Sequence, residues 1–175
     1  MTTRLVTISC LCVSILVPEH IQRIDVHGTH GWQLRYAGHT KLFSDSKAIG
    51  EGQRHEVSLK EAIAALCQRI ADTPAPTGLQ LRVSKHKQNK LPVGISGPIL
   101  RQRPGRSVPE CHFSVNLPRF GTNHLRRSVY IANQNTYTPE RYAAALNAAL
   151  DMRKAAEAQY QLEATTAKRR EASKL

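Results

Sequence analysis

One pattern, alternating residues followed by a helical repeat, occurs twice in this chain and restricts the fold more than any other feature. The first alternating stretch runs from Gly31 to Asp45 and the second from Cys111 to Ile131. Alternation of apolar and polar residues with period two is typical of strands with one buried and one solvated face. In 175 residues, two such copies predict two small sheet-and-helix units.

The first copy assigns residues to faces by parity. Trp32, Leu34 and Tyr36 are predicted to face a core, whereas Gln33 and Arg35 alternate with them and face solvent. A strand is also predicted over 21–26, before this stretch, and another over 39–45, after a turn at Gly38, with Leu42 as its core residue. The polar positions of these two strands that are expected on the solvated face are Arg23, Asp25, His39 and Lys41.

The second copy shows the same alternation, and the segment before it is less regular. A strand and turn are predicted over 92–106, and a return strand over 126–131. On the central strand, the apolar residues Phe113, Val115 and Leu117 alternate with His112, Ser114 and Asn116. The central strand therefore also has one apolar and one polar face.

Each copy is followed by a helix signal. Ser58 with Glu61 three residues later reads as a capping box, so the first helix is predicted to begin at Ser58. Thr138 followed by Pro139 predicts the start of the second helix, because proline at the first helical position loses no hydrogen bond. This second helix is Ala-rich and is expected to reach Tyr160 or beyond, and the end of the chain from Ala167 is expected to be frayed and solvated.

The predicted fold class is α+β, with two repeats of a three-stranded antiparallel sheet packed on one α-helix, an extra N-terminal strand and a longer C-terminal helix. The predicted divisions are an apolar N-terminal extension over 1–20, repeat 1 over 21–72, a Pro-containing and then basic linker over 73–91, repeat 2 over 92–160, and a basic tail over 161–175.

The charge balance favours a polyanionic partner. The net charge is +12, and between Leu79 and Arg127 ten lysines and arginines stand against one acid, Glu110. Such an imbalance favours nucleic acid first and an anionic membrane surface second. The alternative interpretation is a basic protein that has no polyanionic partner.

The N-terminal apolar run, 5–17, is too short to span a bilayer and has no clear signal-cleavage site, so a buried strand is expected. A signal-like segment or a non-native start are the alternatives. Cys10, Cys12, Cys67 and Cys111 are scattered and have no zinc spacing, which favours core thiols in a reducing, cytoplasmic protein.

The order of the motifs resembles the AP2 DNA-binding domain in its bacterial and phage form. Repeat 1 carries the resemblance in the phrases IQRID, HGWQLRY, LFSDSKAIG and SLKEAIAAL, and repeat 2 carries it more weakly in GIS, HFSVNL, RRSVYI and TPERYAAALNAAL. The Pro- and Arg-rich excursion over 97–109 and the first 20 residues have no counterpart in the family. Lys41 stands near a position where plant members often carry an aromatic residue, so the plant target sequence does not transfer.

The resemblance implies that the helix lies behind the sheet while the open sheet face enters the DNA major groove. By parity, the residues predicted to face DNA in repeat 1 are Arg23, Gln33, Arg35, His39 and Lys41. Those of repeat 2 are Ser114, Asn116, Arg126 and Ser128, with Arg101, Arg103 and Arg106 nearby. The cations expected to grip phosphates are Arg119 and Arg127, together with the linker residues Lys85, Lys87 and Lys90.

The predicted function is a non-enzymatic double-stranded DNA-binding protein, a transcriptional regulator or accessory factor of bacterial, phage or mobile-element origin. No nucleophile–base pair, Gly-rich phosphate loop or acidic metal cluster is visible, so no catalytic residue, metal, cofactor, small-molecule substrate or membrane partner is predicted. His124 and Arg127 form a His-x-x-Arg pair found in tyrosine recombinases, but the chain is too small for that catalytic domain. A homodimerising interaction module and a remnant of a homing endonuclease are the alternatives.

Overall fold

The computed structural model of the chain describes residues 1–9, 11–47, 53–87, 89–105 and 107–175 and confirms the α+β class. These residues form three antiparallel sheets and two α-helices. The strands are β1 (Thr3–Ile8), β2 (Val13–Pro18), β3 (Ile21–Val26), β4 (Thr29–Tyr36), β5 (His39–Ser44), β6 (Ile95–Arg101), β7 (Glu110–Leu117) and β8 (Leu125–Asn133). The helices are α1 (Arg54–Asp72) and α2 (Pro139–Ala172).

The described chain divides into two compact units. Unit 1 comprises 1–76 and 165–175, and unit 2 comprises 77–164. Unit 1 contains the hairpin β1–β2 and the three-stranded sheet β3–β4–β5, called sheet 1 below. Unit 2 contains the three-stranded sheet β6–β7–β8, called sheet 2.

The N-terminal segment forms a hairpin rather than the single strand that was predicted. β1 and β2 pair in antiparallel register, with Leu5 opposite Leu16, and Cys12 lies in the turn with φ 52°. Cys12 is exposed in this turn, so its prediction as a core thiol is wrong, and Cys10 lies outside the described residues. Ile8 and Val17 are fully buried and join the unit 1 core.

Two tight turns fix the register of sheet 1. His27–Gly28 and Ala37–Gly38 each have positive φ at both residues, with values between 46° and 80°. This is the type I′ geometry, whose twist matches that of antiparallel strands. With these two-residue turns, Trp32 lies directly opposite Phe43 in the sheet.

This register reverses the predicted facing of the outer strands, because residues directly opposite each other share a face. Phe43 is buried beside Trp32, whereas Leu42 lies opposite Gln33 and is 42% exposed. The prediction of Leu42 as the core residue of β5 is therefore wrong by one position.

Helix α1 covers the Trp32 face of sheet 1. Leu59, Ala62, Leu66 and Ile70 recur at helical spacing and are all buried. The Trp32 indole N–H donates to the carbonyl of His55 at 2.7 Å and so links strand to helix by a polar contact within the core.

Ser58 does not begin α1, so the predicted capping box is wrong. The helix begins at Arg54 with Gln53 as its N-cap residue, and Ser58 lies inside it, fully buried. The Ser58 hydroxyl donates to Asp45 Oδ1 at 2.5 Å, so it serves the sheet contact instead of the helix end.

Asp45 also accepts a hydrogen bond from Arg23, which makes a polar network at the edge of the core. Arg23 Nη2 lies 2.7 Å from Asp45 Oδ2, and the same guanidinium binds Asp25 through two contacts of 2.9 Å. The Arg23 side chain is only 7% exposed and lies over the Trp32 ring at 5.1 Å. Burial alone would lower the pKa of Arg23, but its bonds to Asp45 and Asp25 outweigh burial and raise it.

In unit 2, α2 packs against sheet 2. Ile95, Phe113, Val115, Ala145 and Ala149 are buried together in one core. The prediction of Thr138 as the cap of α2 is confirmed, because its hydroxyl accepts the backbone N–H of Arg141 at 3.2 Å.

The C-terminal segment is helical where a frayed tail was predicted. α2 continues to Ala172, which is buried in the unit 1 core. Lys168 pairs with Glu19, and Arg169 donates to the carbonyl of Ala71 at 2.7 Å. These contacts within unit 1 hold Lys168 and Arg169 in place.

We predict that Arg23→Ala destabilises unit 1 by about 3 kcal/mol, because it leaves two carboxylates beside the core without their cation. Arg35→Ala is the matched control, since Arg35 is exposed and its expected change is within about 0.5 kcal/mol. Urea unfolding followed by fluorescence of Trp32, the one tryptophan of the chain, reports on this unit. Equal loss in both variants would contradict the proposed structural role of Arg23.

We predict that unit 1 loses stability in acid through Asp25 and Asp45. Burial alone would raise the pKa of both carboxyls, but hydrogen bonds from Arg23, with His30 and Ser58, lower it below its ordinary value. A lowered folded pKa stabilises the fold at pH values above the unfolded pKa of about 3.9, and that stability is lost as pH falls through the folded value. Asp45→Asn should flatten this acid limb in urea unfolding, whereas Glu61→Gln, at an exposed helix position, should not.

We predict that Phe43→Ala costs about 3 kcal/mol or more, as expected for a buried aromatic, whereas Leu42→Ala stays within about 0.5 kcal/mol. The same tryptophan-detected unfolding experiment measures both changes. The opposite ranking would show that the register of β5 differs by one residue from the one described.

Candidate nucleic-acid interface

The face of sheet 2 that points away from its core carries the candidate interface. Ser114 lies opposite Ser128, and Asn116 lies opposite Arg126, so these four predicted residues share one face. The core residues Phe113, Val115 and Leu117 alternate with them on β7 and are buried. The structure therefore brings together the four strand residues of repeat 2 that the sequence placed on the open face.

The middle of this face is a row of small hydroxyl side chains. Ser96 on β6 lies opposite Ser114, which lies opposite Ser128, so one serine stands on each strand. With strands about 4.8 Å apart, the row is about 10 Å wide, which is close to the width of a DNA major groove. Small side chains let a ligand approach the sheet closely, and their hydroxyls both donate and accept hydrogen bonds.

Asn116 and Arg126 lie at one end of the serine row. Arg126 is exposed and has no acidic partner within the described residues. Asn116 is half-buried, and its Oδ1 is enclosed without a hydrogen-bond partner there, whereas its backbone carbonyl accepts from Arg153 on α2. A guanidinium and an amide side by side are the groups that read guanine and adenine edges.

A buried acid lies at the other end of the row. Glu110 and His112 are on the same face of β7, and both side chains are 7% exposed. Arg103 Nε lies 2.9 Å from Glu110 Oε2, and Tyr130 packs edge-on against His112 at 5.4 Å. The single acid of the basic segment is thus paired, so it does not leave a free negative charge on the face.

The open face of sheet 1 carries fewer of the predicted residues. Gln33 and Arg35 are on it, and Arg35 Nε donates to Gln33 Oε1 at 2.7 Å. The register also places Gln22, opposite Gln33, on this face. The other side chains of this open face in β3 and β5 are uncharged: Ile24, Val26, Thr40, Leu42 and Ser44.

Three predicted DNA contacts of repeat 1 lie on the opposite face. Arg23 is opposite Trp32, Lys41 is opposite Leu34, and His39 is opposite Tyr36, so all three point to the side that α1 covers. Arg23 is buried in its ion pairs, and Lys41 lies over the Phe43 ring at 4.8 Å. Their assignment to the open face of sheet 1 is therefore wrong. The apolar residues Ile24 and Leu42 occupy positions on that face instead.

The remaining predicted cations surround sheet 2. Arg101 lies opposite Glu110, and Arg127, although exposed, is opposite Val115 on the covered side. Arg119 is exposed in the β7–β8 loop, and Arg106 lies outside the described residues. Lys85 and Lys90 are exposed in the segment before β6.

The ammonium group of Lys87, which was predicted to contact phosphate, is engaged within unit 2. Its Nζ donates to the carbonyls of Pro92 and Ile95 at 2.7 and 2.8 Å. Burial lowers the pKa of this lysine. Lys87 therefore holds the entry to β6 and has less capacity than Lys85 or Lys90 to contact phosphate.

The two units differ in charge. Unit 2 contains thirteen lysines and arginines against five acids, whereas unit 1 contains twelve against eight. Carboxylates engage cations in both units, Arg23 and Lys168 in unit 1 and Arg103 and Arg153 in unit 2, so the difference lies in the net charge. The electrostatic attraction for a polyanion is therefore concentrated on unit 2.

Sequence reasoning missed Ser96 and Tyr130 on the open face of sheet 2, and Gln22 on that of sheet 1. Ser96 lies next to Gly97 and Pro98 in a segment whose strand pattern is broken. Tyr130 has the same parity as Arg126 and Ser128, so counting along β8 from Arg126 would have placed it on the open face; the register shift of the β7–β8 pair lies beyond it, between His112 and Cys111.

Three further observations bear on function. The described residues contain no cluster of three or more His, Cys, Asp or Glu side chains that could hold a metal ion. In the same part of the chain, neither helix combines the length and apolar character that crossing a membrane requires. The sequence matches no family model and no curated protein, and the fold matches no solved structure.

Proposed function

We propose that this protein binds double-stranded DNA without catalysing a reaction, and that the open face of sheet 2 is its principal reading surface. The observation that carries the proposal is the register of sheet 2, which puts Ser114, Asn116, Arg126 and Ser128 on one uncovered face of the more basic unit. The arrangement offers base-edge donors and acceptors in the centre and cations around them.

The AP2-like arrangement is part of this proposal. A three-stranded sheet with its helix on one face leaves the other face for the major groove, and both units have a sheet and helix residues in one core. Sheet 1 has a supporting role, with Arg35 and Gln33 as its polar contacts. In a cell, such a protein acts as a transcriptional regulator or as an accessory factor on DNA.

Binding should weaken steeply as salt rises, because each phosphate neutralised by lysine or arginine releases counterions. We expect Arg126→Ala to cost about 1–3 kcal/mol in binding to a preferred sequence, while the melting temperature stays unchanged. Arg35→Ala should weaken binding less, since sheet 1 carries fewer groups. The measurement is a selection of bound sequences from random duplex DNA, followed by affinities of each variant at several salt concentrations.

Lys154→Ala is the matched control, because Lys154 is exposed on α2 and its loss also removes one positive charge. Equal effects of Arg126→Ala and Lys154→Ala would mean that charge alone matters and that sheet 2 does not read bases. Affinity for duplex DNA that does not change between low and moderate salt would overturn the proposed function.

A further inference from the structure

The loop between β7 and β8 forms one wall of a cleft of about 700 Å³ in unit 2. Arg119, Gly121, Thr122, Asn123 and His124 line it from the loop. Tyr160 on α2, Gly78 and Leu79 complete the lining. Pockets of this volume are in the range that accepts small ligands.

The polar side chains that line the cleft are all able to donate hydrogen bonds. They comprise a guanidinium, an imidazole, an amide and two hydroxyls, and none of the lining residues is acidic. Between Leu79 and Arg127 the chain has one acid, Glu110, which is buried and paired with Arg103. Such a donor set is suited to an anion with several oxygens.

The loop is anchored, but its donors are unused. Phe120 packs edge-on against Tyr160, with ring centroids 5.6 Å apart, and Pro118 is buried. Among the described residues, no hydrogen bond or ion pair engages the side chains of Arg119, Thr122, Asn123 or His124. Gly121 has φ 69°, so the loop reverses direction at a residue where a side chain would be strained.

The position of the loop connects it with the proposed reading face. The loop, 118–124, joins Leu117 to Leu125, and this pair lies next to the pair Asn116–Arg126 on the sheet. A nucleic-acid strand that leaves the open face at this end of sheet 2 therefore meets the loop next.

We propose that this cleft is a phosphate-binding site for a nucleic-acid strand, with Arg119 and His124 as its central ligands and Thr122 and Asn123 as additional donors. The inference rests on the proposed DNA binding and deepens it, because it assigns a backbone-positioning role to residues outside the sheet face. Contacts of this kind fix the register of a protein on DNA without reading sequence.

The test has a first arm that does not involve DNA. Inorganic phosphate is titrated into the full-length protein while its backbone amide signals are followed by NMR. Saturable shifts should appear at 119–124 in the wild type and be lost in the double variant Arg119→Gln/His124→Gln. Lys154→Gln is the control and should retain them. Absence of saturable shifts in this loop of the wild type overturns the site.

The second arm uses duplex DNA of the selected sequence. In the double variant, the slope of log affinity against log salt should fall by about one, as for one lost phosphate contact, while the preference among sequences stays unchanged. Phosphate shifts without any change in this slope would overturn the nucleic-acid source of the ligand and indicate a free phosphate or nucleotide. Phosphate binding in a wild type that does not bind duplex DNA would instead overturn the proposed function and leave the cleft standing.

Discussion

The carboxylate of Asp45 makes the contact on which the organisation of unit 1 depends. It accepts hydrogen bonds from Arg23 on β3 and from Ser58 inside α1, so one side chain joins the edge of sheet 1 to its covering helix. Charges this close to a core must be paired, since an unpartnered carboxylate or guanidinium would be costly there. The pairing commits Arg23 to the covered side, over Trp32, and thereby removes a cation from the face that repeat 1 was expected to present to DNA.

The consequence is a division of roles between two similar architectures. Both units have a three-stranded antiparallel sheet, yet the open face of sheet 1 is mainly amide, hydroxyl and aliphatic, whereas that of sheet 2 has a serine row with Arg126 and Asn116 at one end. Carboxylates pair with cations in both units, but unit 2 has five acids against eight in unit 1, so its net positive charge is larger. A polyanion would therefore meet its strongest attraction and its most varied hydrogen-bonding groups on the same unit.

The sequence predicts the order and approximate bounds of the strands from Ile21 onward because alternation is strong in β4 and β7. It also predicts the cap at Thr138. It fails on the facing of β3 and β5, since each has large apolar residues on both parities, and only pairing with Trp32 decides which of Leu42 and Phe43 is buried. Ser58 shows the same limit. Its spacing to Glu61 is that of a capping box, but its hydroxyl donates a hydrogen bond to Asp45, thirteen positions earlier. The facing of β3 and β5 and the role of Ser58 are decided by contacts with residues distant in sequence. A local sequence pattern does not show which residues make those contacts.

The two-residue turns of sheet 1 make its faces dependent on chain length. The turns His27–Gly28 and Ala37–Gly38 each have only two residues. One inserted or deleted residue would shift β3 or β5, respectively, by one position against β4 and exchange the two faces of that strand. At Ala37–Gly38, such a change would expose Phe43 and bury Leu42 without altering a single strand residue. The β7–β8 connection is longer and lies outside the ladder, so its length can vary while the facing of Asn116 and Arg126 is kept. The fold is therefore expected to tolerate insertions and deletions between β7 and β8, where they would alter the proposed phosphate site and not the sheet, and to exclude them from the two turns of sheet 1.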